Sequence, residues 1–193
     1  MKLVIINYGA GNIQSIQFAF ERLGCEAVLT DSEETISKAD RVIFPGVGEA
    51  SSAMRKLRAS RLDRLIPELK QPVLGICLGM QLMCQSSQEG HTRGLGIFDT
   101  NVLRFGPGLK VPQIGWNSID KLQSTLFRKV DEASYIYLVH SFYAPLCEET
   151  IAATDYGLEY SAALQKGNFY GLQFHPEKSS LVGEQILKNF LDL

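Results

Sequence analysis

One thiol in this chain is framed for chemistry. Cys77 stands between two glycines in Gly75-Ile76-Cys77-Leu78-Gly79, the sulfur counterpart of the G-x-S-x-G elbow. Small flanking residues let the backbone turn sharply and push the side chain between them out of a sheet. At the start of a helix, the thiolate is favoured by the helix dipole, and the Leu78 N–H is free to meet an oxyanion. Cys25, Cys84 and Cys147 lack such a frame and read as packing thiols. On a continuing helix Cys84 would share the face of Cys77.

A thiol needs a base, and the chain has three histidines. His91 lies in a polar loop and reads as solvated surface. His140 closes the strand-like run Tyr135 to Val139 and reads as either a buried, hydrogen-bonded histidine or a wall of the site. His175 is the strongest candidate, because it ends the run Gly171 to Phe174 and Pro176 biases it toward extended backbone. An extended backbone puts His175 and Glu177 on the same side, where a carboxylate fixes the imidazole tautomer and stabilises the imidazolium. The pattern is a Cys-His-Glu triad: Cys77 attacks, His175 takes and returns a proton, and Glu177 orients the ring. Such a triad cleaves acyl compounds through a thioester, and peptides, esters and amides all remain open as substrates.

These groups must be positioned by strands and helices in alternation. Pro72 to Ile76 reads as a buried parallel strand delivering Cys77 to a helix that includes Gln81 to Cys84. Upstream, strands are expected at Leu3–Ile6, Ala27–Thr30 and Arg41–Phe44. Helices are expected from Ile13 to Leu23, from a capping box of Asp31 and Glu34 to Lys38, and from Glu49 to Ser60, continuing through Leu69. This alternation predicts an α/β fold with a central, mostly parallel, doubly wound sheet. The loop Asn7 to Asn12 is glycine-rich, but Gln14 stands where a dinucleotide fingerprint needs glycine. Pro45-Gly46-Val47-Gly48 ends the third strand at the sheet edge where Cys77 emerges. After Gly94 the chain turns β-rich: 95–105, 111–119, 134–143, 151–154, 161–165 and 169–174, with a hairpin at Lys166-Gly167-Asn168 and a last helix from Leu181 to Leu193.

Composition excludes several classes. With 193 residues, 45% of them hydrophobic, the chain reads as one globular domain, 1–193. Nineteen basic against 21 acidic residues leave a net charge of −2, with no surplus to hold a phosphate backbone. The scattered cysteines and histidines lack metal-ligand spacing, so neither a metal nor an organic cofactor is expected. The apolar start at Met1 is too short for a leader or a membrane span, so a reducing cytoplasm is expected.

Three segments in this order, Pro45-Gly46-Val47-Gly48, Gly75-Ile76-Cys77-Leu78-Gly79-Met80-Gln81 and Gln173-Phe174-His175-Pro176-Glu177, resemble the class I glutamine amidotransferases over nearly the whole chain. Four further segments are similar to one branch, the glutaminase subunits of imidazole glycerol phosphate synthase in histidine biosynthesis. They are Asn7 to Asn12, Pro112 to Asn117, Val139-His140-Ser141-Phe142 and Pro176 to Ser180. The second and fourth argue against the branches that serve anthranilate or pyridoxal phosphate synthesis.

The resemblance implies glutamine hydrolysis to glutamate, with the ammonia passed to a separate (β/α)8 cyclase subunit in a heterodimer. That subunit would form imidazole glycerol phosphate and an aminoimidazole carboxamide ribotide. It implies that Gln81 and Glu89 hold the α-amino and α-carboxylate end of glutamine, with backbone contacts from Ser141 and Phe142. It also implies an oxyanion hole from Gly46, Val47 and Gly48 beside Leu78, formed after a backbone rearrangement. Asn12, Ile114, Trp116, Tyr137 and Lys178 would face the cyclase, although Trp116 taken alone reads equally as a core packing anchor.

Overall fold

The computed structural model describes residues 1–9 and 12–193. Ala10 and Gly11 of the glycine loop lie outside the described residues. The first half alternates: β1 (Leu3–Ile6), α1 (Ile13–Arg22), β2 (Ala27–Thr30), α2 (Glu33–Ser37), β3 (Arg41–Phe44), α3 (Ala50–Ala59), α4 (Leu62–Leu65), β4 (Val73–Ile76) and α5 (Leu78–Met83). The second half is mostly strands: β5 (Cys84–Ser87), β6 (Thr92–Arg93), β7 (Phe98–Arg104), β8 (Gln113–Ile119), β9 (Ser134–His140), β10 (Phe142–Tyr143), β11 (Thr150–Asp155), β12 (Glu159–Lys166) and β13 (Phe169–Leu172). Helix α6 (Ser180–Leu191) follows.

Seven strands form the central sheet in the order β11-β12-β13-β4-β3-β1-β2. The run from β13 to β2 is parallel, and β11 and β12 add antiparallel pairs at one side. Strands covered on both faces read as unbroken apolar runs, which is why Leu3–Ile6 and Val42–Phe44 are buried throughout. Alternate residues feed two cores. Val4, Ile6, Val42 and Phe44 pack with Met54 and Leu57 of α3, and Leu3, Ile5 and Ile43 pack with Phe20 of α1 and Phe190 of α6. A four-stranded sheet, β10-β7-β5-β6, and the β8–β9 pair complete the architecture.

Strands β1, β2 and β3 appear with their expected bounds, β4 starts at Val73 and not at Pro72, and the hairpin closes with Lys166 opposite Phe169. Several local expectations are corrected. Helix α2 is capped by Ser32, whose side chain accepts from the Thr35 N–H, and not by Asp31 with Glu34. The amphipathic stretch after Glu49 breaks at Arg61, which has φ 60°, into α3, α4 and a 3-10 turn. Helix α5 stops at Met83, so Cys84 opens a strand; it is still fully buried, but not as part of a shared helical face. The run 134–143 divides into β9 and β10, which pair with different partners. Among the described residues, no helix is long and apolar enough to cross a membrane.

Candidate active site

Strands β3, β4 and β13 lie side by side and parallel, with Phe44 opposite Gly75 and Leu172 opposite Ile76. The residues after them, Pro45–Gly48, Cys77 and Gln173–His175, therefore leave the sheet at one carboxyl edge, where open α/β sheets bind ligands.

Cys77 has φ 52° and ψ −109°, a strained conformation for a side-chain-bearing residue. Its N–H donates to the Leu172 carbonyl at 2.7 Å, and its carbonyl accepts from the Gln81 N–H, so the strain is held by strand and helix together. Helix α5 starts immediately and presses against the end of β3. A Cβ on Gly79 would lie 2.0 Å from the Phe44 oxygen, and one on Gly46 would lie 2.6 Å from the Gly79 nitrogen. Only glycine fits at either place.

His175 is extended, with φ −94° and ψ 97°, as Pro176 requires. Glu177 then arrives through a 3-10 turn, Pro176–Lys178, and not along a continuing strand. Its Oε1 nonetheless meets His175 Nδ1 at 2.8 Å, with both side chains almost wholly buried. Burial alone would lower the His175 pKa, but pairing with the Cys77 sulfur and then with Glu177 outweighs it and raises the value to about 10. The imidazolium is thus the favoured partner of the sulfur.

The triad opens onto a cavity of about 310 Å³ lined by Val47, Gly48, Leu78, Gln81, Glu89, Val139, Ser141, Phe142 and Lys178 among others. A wider cleft of about 1000 Å³ at the amino edge of the sheet holds Cys25 but no histidine to activate it. Gln81 is buried, and its Nε2 donates to the Phe142 carbonyl at 2.8 Å. Glu89 reaches the cavity with its Oε2 accepting from the Ala50 N–H, and burial raises its pKa. Gly46 does not line the cavity. It is buried against Leu78 and Gly79, at the root of the segment whose Val47 and Gly48 line the cavity.

His140 satisfies both of its alternatives. It lines the cavity, and its Nδ1 and Nε2 meet the Phe142 carbonyl and the Tyr160 hydroxyl. Burial lowers its pKa to about 4, which keeps it neutral. His91 is exposed. Trp116 is 53% exposed and Ile114 63%, which removes the core reading of the tryptophan. Trp116 packs edge-on against Tyr137, its opposite number across the β8–β9 pair. Lys178 lies in the cavity wall, and it and Asn12 are exposed.

Three contributors escaped the sequence reading. Tyr8 is buried, and its hydroxyl, held protonated because burial and then the Cys77 charge push its pKa up, donates to the Pro45 carbonyl at 2.8 Å. Ser179 is fully buried; its Oγ accepts from the Tyr137 N–H and donates to the His175 carbonyl. Gln173 is also fully buried and touches both Gln81 and Cys77. A polar residue in the apolar run Phe169 to Phe174 was the available signal for Gln173.

This elbow, triad and sheet are those of a glutamine amidotransferase: residues 4–193 match the family model for glutamine amidotransferase class-I, and the chain belongs to that family. It is 56% identical over its full length to the full length of "Imidazole glycerol phosphate synthase subunit HisH" of Bacteroides fragilis, and 46% identical, again end to end, to the subunit of that name from Pectobacterium atrosepticum. A solved glutamine amidotransferase superposes with a TM-score of 0.77 at 18% identity, covering 98% of this chain and 97% of its own, which establishes the shared fold.

Proposed function

We propose that the chain is the cytoplasmic glutaminase subunit of an imidazole glycerol phosphate synthase. It hydrolyses glutamine and hands the ammonia to a (β/α)8 cyclase partner. The observation that carries the chemistry is the 2.8 Å His175–Glu177 contact beside a Cys77 held at positive φ. The end-to-end identity with subunits of that name favours this branch over the anthranilate and pyridoxal phosphate complexes.

The Cys77 thiolate attacks the side-chain carboxamide carbon of glutamine, and the carbonyl electron pair moves onto oxygen. Leu78 and the Val47–Gly48 peptides are the candidate donors to that oxyanion. As the carbonyl re-forms, the C–N bond breaks and the His175 imidazolium protonates the leaving nitrogen, releasing ammonia and a thioester. His175, now neutral, takes a proton from water, which attacks the thioester, expels the thiolate and leaves glutamate. Gln81, Glu89, Ser141 and Phe142 hold the amino-acid end. Ser141 and Phe142 offer few free backbone acceptors, since their carbonyls already accept from Phe105 and from Gln81 and His140. Ile114, Trp116, Tyr137, Lys178 and Asn12 form the partner face, and its exposed aromatic and aliphatic groups are what an interface core requires.

The test is glutamate release by the purified chain, alone and with a cyclase subunit loaded with its nucleotide. Strong stimulation by the loaded cyclase supports the whole reading. Equally vigorous turnover without it would retain the triad and remove the coupled partner.

A further inference from the structure

Below the cavity floor, buried amides form a chain of fixed polarity that ends on the nucleophile. A carbonyl can only accept, so the Phe142 oxygen turns Gln81 with its Nε2 toward it at 2.8 Å. The second hydrogen of that nitrogen goes to Gln173 Oε1 at 2.9 Å. Gln173 is oriented in turn, and its Nε2 faces the Cys77 sulfur at 3.8 Å, within hydrogen-bonding reach of sulfur. The sulfur also faces a backbone acceptor, the Val139 carbonyl, likewise at 3.8 Å. Cys77 thus sits between an acceptor and a donor. As a thiol it can donate to Val139. Once the proton moves to His175, the carbonyl faces a negative sulfur and repels it, and the Gln173 N–H complements the new charge. Gln173 is fully buried, so water does not compete for that donor.

We propose that Gln173 is a catalytic residue, its side-chain amide donating to the Cys77 thiolate and favouring the ionised nucleophile, with Gln81 setting the direction of that amide. The inference rests on Cys77 being the nucleophile of the proposed glutaminase. It also gives Gln81 a second part: a ligand that engages Gln81 in the cavity acts on the sulfur through one intervening amide. A glutamine buried only for packing would have no such effect on sulfur ionisation.

The deciding measurement is the pH dependence of Cys77 alkylation by iodoacetamide, read by mass spectrometry of the Cys77 peptide. Gln173→Met keeps the length and removes the donor. Its alkylation midpoint should rise by about one pH unit, a tenfold loss of thiolate below it. Gln173→Glu keeps the shape and replaces the donor with an acceptor, and should move the midpoint further in the same direction. An unchanged midpoint in either variant that melts cooperatively overturns the proposal. The wild-type protein supplies a check that needs no variant: the Gln173 side-chain ¹⁵N–H₂ resonances should titrate with the thiol and cease to do so after alkylation. Static resonances overturn it. Wild-type Cys77 that reacts no faster than the buried Cys84 would remove the nucleophile as well, whereas normal wild-type reactivity with unmoved variants removes only the part given to Gln173.

Discussion

The backbone N–H of His175 donates to the carbonyl of Tyr137 at 2.9 Å, which ties the base of the triad to the strand whose side chain packs on the exposed Trp116. Ser179 closes the loop, since its Oγ takes the Tyr137 N–H and gives its own hydrogen to the His175 carbonyl. Ser179→Ala leaves the Tyr137 N–H without its partner, while the His175 carbonyl keeps the Lys178 N–H, so a loss of about 1–3 kcal/mol in stability is expected. Thermal unfolding measures that loss. Glutamate release should fall with it, and stimulation by the loaded cyclase should fall further than basal turnover, because the link between Tyr137 and His175 is slackened.

Cys77→Ala should abolish synthesis from glutamine in the complex and leave synthesis from added ammonium salts intact, since only the donor reaction uses the thiolate. Parallel assays with the two nitrogen sources decide it. Glu177→Gln should lose less than His175→Ala, because Glu177 orients and does not itself transfer the proton.

The raised His175 value carries a pH signature. The folded state holds the His175 proton up to about 10, whereas an unfolded histidine releases it near about 6.5. Between those values the folded state binds more protons, so this group's stabilisation is complete below the lower value and is lost as pH rises through the upper one. Urea midpoints across that window should fall with pH. Cys77→Ala and Glu177→Gln each remove a raising influence, and the ring titration followed by NMR should move down in both.

Much of this site was legible beforehand because its signals are local. The glycine frame of Cys77 and the proline after His175 constrain their own backbones, and the apolar runs of β1, β3 and β4 follow from burial on both faces. Ser179, Tyr8 and Gln173 were not legible, since each acts across the sheet edge on a group distant in sequence: Gln173 and Cys77 meet only because β13 pairs with β4. The short strands β5 and β6 were missed for a similar reason. Ser86 and Thr92 carry no apolar alternation, and their strands are defined by pairing alone.

Glycines near the site should differ sharply in tolerance. Gly79→Ala and Gly46→Ala drive a methyl into backbone, and overpacking of this kind costs about 1–3 kcal/mol or more. Gly48→Ala meets open space, and only its φ of 95° penalises it. The expected result is clearly lowered melting for the first two. For Gly48→Ala, a smaller loss of melting temperature, set by the strain at positive φ alone, should accompany reduced glutaminase stimulation.

Trp116→Ala should leave the isolated chain within about 0.5 kcal/mol of wild type, as an exposed side chain does. Titration calorimetry against the cyclase should show about tenfold weaker binding, the scale of an aromatic anchor.

The Tyr8 hydroxyl on Pro45, together with the seating of Gly46 on Gly79, fixes the root of the segment that follows. A backbone rearrangement there would fall to the peptide planes around Val47 and Gly48, a crankshaft turn beyond a welded root. The radius of gyration would stay constant through such a turn. Its trace would be microsecond-to-millisecond exchange at two or three amides, and a crystal could hold both orientations at partial occupancy in one lattice.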